Sequence, residues 1–173
     1  MIRPEDDADF DAIAVVVTAA FGSPVEARLV GAIRASVHYV PELSLVAVEN
    51  GEVVGHIMIS HATLRDGPVE RRIATLSPLA VAPEWQGSGI GSALVREVTA
   101  RADALSEPLV VLEGSPTFYG RLGFEHSVPH GIHMHLPSWA PPEAAQVLRL
   151  PGYDRAMRGQ VVYPPAFDEV AAT

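Results

Sequence analysis

Leu79-Ala80-Val81-Ala82-Pro83-Glu84-Trp85-Gln86-Gly87-Ser88-Gly89-Ile90-Gly91 is the stretch on which the reading of this 173-residue chain turns. An apolar run ends at Val81, Pro83 breaks it, and three glycines then alternate with other residues. Ile90, Leu94, Val95 and Val98 follow at helical spacing. Glycine lets a backbone approach a ligand without interference from Cβ. A loop that opens a helix presents unpaired N–H groups and the positive end of the helix dipole, which favour an anion such as a pyrophosphate. A tight strand-to-helix turn without a ligand is the plainer alternative, although one glycine would serve for that. Ser92-Ala93 stands where a P-loop requires lysine and a hydroxyl residue. Gly87 to Ser92 is a near miss to the dinucleotide fingerprint, with serine in its last place, and Glu113 could then be the ribose-binding acid.

Working outward, Leu109-Val110-Val111-Leu112 reads as a strand buried on both faces. Residues 72–112 thus form a strand, glycine loop, helix and strand, the pattern of a parallel crossover. Upstream, residues 43–48, 53–64 and 72–81 read as three strands of an antiparallel meander, turned at Asn50-Gly51 and Asp66-Gly67-Pro68. A dinucleotide loop normally follows the first strand of a repeated βαβ array, and a meander precedes this one. Ile2-Arg3 suits a short strand, residues 6–20 a helix, and Ser23-Pro24-Val25-Glu26 the start of a second helix. Downstream, residues 115–122 suit a short helix, and strands are expected from Gly123-Phe124 and around His133. Residues 145–150 fit helix or strand, and Val161-Val162-Tyr163 fits a strand ended by Pro164-Pro165. The expected class is α/β with a mixed sheet, an antiparallel meander joined to one parallel βαβ unit. Residues 1–136 form the core, and residues 137–173 an extension packed on the same domain.

Composition narrows the classes. The chain is 48% hydrophobic and 19% charged, enough apolar material for one core. A net charge of -9 argues against nonspecific binding to nucleic acid or an anionic membrane. Any anion site must therefore be local. No apolar run reaches the roughly 20 residues of a membrane span, and the acidic start Met1-Ile2-Arg3-Pro4-Glu5-Asp6-Asp7 is unlike a secretory signal. There is no cysteine, which removes disulfides and a thiol nucleophile and fits a cytoplasmic protein.

The loop Gln86-Gly87-Ser88-Gly89-Ile90-Gly91 matches R/Q-x-x-G-x-G/A, and with Phe118-Tyr119-Gly120-Arg121-Leu122-Gly123-Phe124 the chain resembles the GNAT superfamily of N-acetyltransferases over about residues 1–136. Tyr163-Pro164-Pro165-Ala166-Phe167 is similar to the tail of a subgroup of predicted acetyltransferases. The resemblance implies central strands that splay apart. Pantetheine would pair with the backbone at Leu79, Ala80 and Val81, and the amides of Gly87, Ser88, Gly89, Ile90 and Gly91 would take the pyrophosphate. It implies acetyl-CoA as cosubstrate, no metal, direct attack by a small-molecule or peptide amine, and Tyr119 as proton donor to the thiolate and a contact of the cofactor. It allows a homodimer. An inactive CoA-binding regulatory module is the alternative within the same fold.

For the base, Glu113 at a strand end is the first candidate, with His56 and His61 behind it. His126, His130, His133 and His135 cluster in sequence. His133 and His135 would share a strand face and could chelate zinc, but no cysteine accompanies them and no carboxylate lies between them. Polar residues edging a substrate cleft is the plainer reading. Arg121 would sit near the CoA phosphates or simply face solvent.

Overall fold

Asn50 and Gly51 adopt φ of 52° and 80°, so the first turn of the meander is closed by two residues in the left-handed region. The turn joins β2 (Tyr39–Glu49) to β3 (Glu52–Asp66), which pair antiparallel from Glu49↔Glu52 back to Tyr39↔Ser60. Gly67, at φ 57°, turns the chain into β4 (Val69–Val81). Both strands are longer than their apolar cores suggest, because their polar ends continue the ladder. The computed structural model describes residues 1–171 of the chain.

Before the meander come β1 (Ile2–Pro4), α1 (Phe10–Phe21) and α2 (Val25–Arg34). The first helix begins later than its periodicity predicts. Asp6 caps a 3-10 turn at Asp7–Asp9, with reciprocal bonds between Asp6 and Asp9, and the α-helix opens only at Phe10. After β4 come α3 (Ile90–Ala104), β5 (Leu109–Glu113) and α4 (Pro116–Gly120), the last capped by Ser115. Then follow β6 (Glu125–His126), β7 (Ile132–His133), β8 (Ala145–Arg149), β9 (Gly159–Val162) and α5 (Pro165–Ala171). Residues 145–149 are therefore strand. β7 ends at His133, so His135 lies beyond it and the two histidines share no strand face.

The strand order is β1-β2-β3-β4-β5-β8-β6, with β9 against β3 and β7 against β9. β4 and β5 are parallel, at Ala74↔Val110 and Thr75↔Val111, as the crossover requires. β8 pairs antiparallel with β5 from Glu113↔Ala145 to Leu109↔Arg149.

The chain forms two compact units. The first comprises residues 1–60, 76–101 and the chain from 165; the second comprises 61–75 and 102–164. In the first, Ile13, Val17, Val30 and Ile33 of the two N-terminal helices bury against Val46, Met58 and Ala80, and Ala166 of α5 joins them. In the second, Leu109 and Val111 pack with Leu64, Ile73, Ile132, Val147 and Val161. Among the described residues no helix is long and apolar enough to cross a membrane.

Candidate functional site

The glycine loop belongs to the first unit. A 3-10 turn at Pro83–Trp85 lifts the chain off β4. Gly87 and Gly89 then take φ of 79° and 91° on either side of Ser88. A Cβ at either glycine would meet nothing within 4 Å, so the space over the loop is open and the backbone angle is what demands glycine. Alternating signs of φ turn successive N–H groups toward one side, the geometry of an anion nest. The 15-residue α3 starts directly after it and adds its dipole. Ser88 Oγ donates to the Trp85 carbonyl and Gln86 Nε2 donates to the Val81 carbonyl at 3.0 Å, so both side chains brace the loop. Ala80 points into the core at 2% exposure, while Leu79 and Val81 alternate with it and are half-buried. The Ala82 N–H donates to the Val54 carbonyl at 2.8 Å, so the alternate positions Leu79 and Val81 direct their backbone groups to the other edge of β4.

The second unit carries a different site. Glu113 ends β5, and Gly114-Ser115 turns the chain into α4. A Cβ on Gly114 would stand 2.6 Å from Tyr119 Cε2, so glycine is required for the tyrosine ring to lie where it does. That ring packs edge-on against Phe118 and Phe124, with centroids 4.8 and 5.5 Å away. Burial pushes its phenol up to about 12.

Glu113 Oε1 accepts a hydrogen bond from the Tyr163 hydroxyl at 3.0 Å. Burial of the carboxyl group pushes Glu113 above the ordinary carboxylate value, although the residue as a whole is exposed. The Tyr163 bond and the nearby His135 charge act the other way and do not cancel the rise. Tyr163 is itself raised, by burial and then by the Glu113 charge. Glu113 and Ser115 face a cleft of about 390 Å³ whose other walls include Pro116, Leu136, Pro137, Trp139 and Pro141.

The sequence singled out Glu113 and Tyr119 but missed Tyr163 as a partner and Trp139 as a wall. Tyr163 is fifty positions from Glu113. It reaches the carboxylate because β9 pairs with β3 at Thr63↔Val162. The apolar cluster Leu136 to Pro141 carried no motif, and only an exposed tryptophan among prolines could have marked it.

The histidines separate. His56 is fully buried, with Nε2 3.0 Å from Glu5 and 3.2 Å from Ser44 Oγ. His61 Nε2 lies 2.7 Å from Glu107, which is 5% exposed. His130 sits 3.4 Å from Glu125, and His133 and His135 are exposed. No group of three or more His, Asp or Glu side chains among the described residues is placed to hold a metal. None of these histidines lines the Glu113 cleft.

A meander, a glycine nest opening a long helix and a parallel βαβ unit define an acetyltransferase of the GNAT kind. Residues 1–127 match the acetyltransferase (GNAT) domain model, and the chain belongs to that family. It is 38% identical over 120 residues to the N-acetyltransferase YjhQ of Escherichia coli K12, a match spanning 69% of this chain and 66% of that protein. It is 30% identical over 160 residues to the N-acetyltransferase YhbS of the same strain, spanning 92% and 91%. Among solved structures, E. coli YhbS in complex with CoA superposes with a TM-score of 0.87 at 29% identity, over 97% of this chain and 91% of that one. A GNAT family acetyltransferase from Brucella melitensis in complex with acetyl-CoA gives 0.77 at 32% identity, over 97% of both.

Proposed function

We propose that this acetyltransferase moves an acetyl group from acetyl-CoA to a primary amine by direct attack, without a covalent enzyme intermediate and without a metal. The observation that carries the reading is the nest at Gly87 and Gly89 on the N-terminus of α3, which suits a pyrophosphate. The CoA and acetyl-CoA complexes of the YhbS and Brucella proteins support the same choice. Pantetheine pairs with the backbone at Leu79 to Val81. The Val81 carbonyl keeps a second lone pair beside its Gln86 bond.

Glu113 is the base. An alkyl amine is almost wholly protonated at neutral pH, since its pKa lies near 10.4. The ammonium gives its first proton to solvent, and Glu113, a carboxylate held above its ordinary value, takes the second from the nitrogen as the C–N bond forms and that N–H becomes acidic. The amine nitrogen forms a bond to the thioester carbon, the C–S bond breaks, and the sulfur leaves as thiolate. Tyr119 stabilises that sulfur by hydrogen bonding rather than by full proton transfer. With its phenol near 12 and a thiol near 8.5, donation runs uphill by roughly three orders of magnitude. The protein acts in the cytoplasm, and a homodimer is compatible with this reading.

The glycine nest is tested by Gly89→Asp. An aspartate at φ 91° is strained and sets a negative charge where the pyrophosphate lies. Calorimetry should show acetyl-CoA affinity reduced at least a hundredfold with the fold retained by circular dichroism. Unchanged affinity would remove the pyrophosphate assignment.

A further inference from the structure

Trp139 is 83% exposed, and it stands on the wall of the Glu113 cleft. Large aromatic side chains are normally covered, and an uncovered one beside a cavity marks a place where something else covers it. Pro137 and Pro141 stand two residues to either side with their own φ fixed, which limits the backbone freedom of the segment. Leu136, Pro116 and Ala140 extend the apolar wall. Against all this stands one carboxylate, Glu113, and no lysine, arginine or histidine lines the cleft.

Resting on the acetyl-CoA:amine reading above, we propose that the acceptor is a small primary monoamine carried on an aromatic group, and that Trp139 is the residue that selects it. The ammonium meets Glu113, and the aryl group stacks on Trp139 and fills the apolar wall. A volume of about 390 Å³ lies at the small end of ligand pockets and suits one ring with a short linker. An amino acid brings a carboxylate that faces Glu113 as a like charge, with no cationic side chain among the lining residues and His135 near Glu113 but outside that lining. A polyamine or aminoglycoside brings several ammonium groups, of which one carboxylate satisfies one and the apolar walls desolvate the rest. The net charge of -9 further draws cations and repels anions.

The test compares kcat/KM for phenethylamine, phenylalanine, spermidine and a lysine-containing peptide at saturating acetyl-CoA, with the full chain. Phenethylamine should exceed each of the others by at least tenfold. Trp139→Ala should raise KM for phenethylamine about tenfold with acetyl-CoA affinity and melting temperature unchanged, and Trp139→Phe should restore most of the loss. Faster acetylation of phenylalanine, spermidine or the peptide overturns the proposal and leaves amine acetylation standing. So does a Trp139→Ala enzyme with unaltered KM. Acetyl-CoA binding with no acetylation of any amine overturns the underlying reading, and this proposal with it.

Discussion

Glu5 and Glu113 are both carboxylates that meet a tyrosine hydroxyl, and the molecule treats them in opposite ways. Glu5 has a fully buried side chain. It accepts from Arg34 Nε at 2.8 Å, from Tyr39 at 2.8 Å and from His56 at 3.0 Å. Burial works against its charge, but those bonds outweigh burial and hold the carboxyl far below the usual range. His56 donates from Nε2 and stays neutral, because burial holds its ring below the ordinary imidazole value despite the neighbouring carboxylate. Glu113 has one hydroxyl donor, opens on a cleft, and sits above the ordinary value. Four donor groups from three residues hold Glu5 ionised and structural, whereas one donor and a partly dry wall leave Glu113 the properties of the base proposed above. The number of donors, rather than depth of burial, separates the two roles.

The sharpest way to break the comparison is to remove the inert member. Glu5→Ala leaves the half-buried Arg34 guanidinium and Tyr39 hydroxyl without their acceptor and His56 with only Ser44 Oγ, and should cost roughly 3 kcal/mol of unfolding free energy in urea. Because the folded Glu5 value lies below the unfolded one, its contribution is fully present above about pH 4.5 and is lost as pH falls further. The variant should therefore show a shallower loss of stability on acidification than the parent. Equal acid sensitivity in both would mean that Glu5 is not the group concerned.

Glu113→Gln keeps the acceptor for Tyr163 and removes the base. Turnover with an accepted amine should fall about a hundredfold, the lower end of general-base effects, with acetyl-CoA affinity unchanged. The acidic limb of the pH profile, set in the parent by a carboxylate above its ordinary value, should vanish. A surviving limb would move the base elsewhere.

Tyr163→Phe gives the smallest effect. The hydroxyl stabilises the carboxylate, so its loss raises Glu113 further and moves the acidic limb of kcat/KM to higher pH. Turnover on the alkaline plateau should change no more than a few-fold. A limb that moves to lower pH would reverse the sign assigned to this bond.

The fold was legible wherever the chain encodes structure locally. Asn50-Gly51 turns the meander, Ser115 caps α4, and the alternation at Gly87 and Gly89 announces a nest because positive φ leaves few residues to choose from. The site was legible only in part. Glu113 could be placed at a strand end, and Tyr119 came with its motif. Tyr163 could not be paired with Glu113, because that contact depends on β9 joining β3, and strand partners this far apart leave no local signature. The same limit misplaced His135: two histidines at i and i+2 share a face only if the strand continues, and β7 stops at His133.

The strand order carries a consequence for how such a chain is made. β6 precedes β8 in sequence, yet β8 lies between β5 and β6. During synthesis the glycine loop and α3 emerge well before β5 acquires its antiparallel neighbour. Four of the five β5 residues are apolar and buried in the finished protein. Until residues 145–149 leave the ribosome, that edge is an open template for pairing with other chains. A shortened form ending before Ala145 would retain the whole anion nest and still be a candidate for aggregation, held in solution only by a chaperone or by its own negative charge.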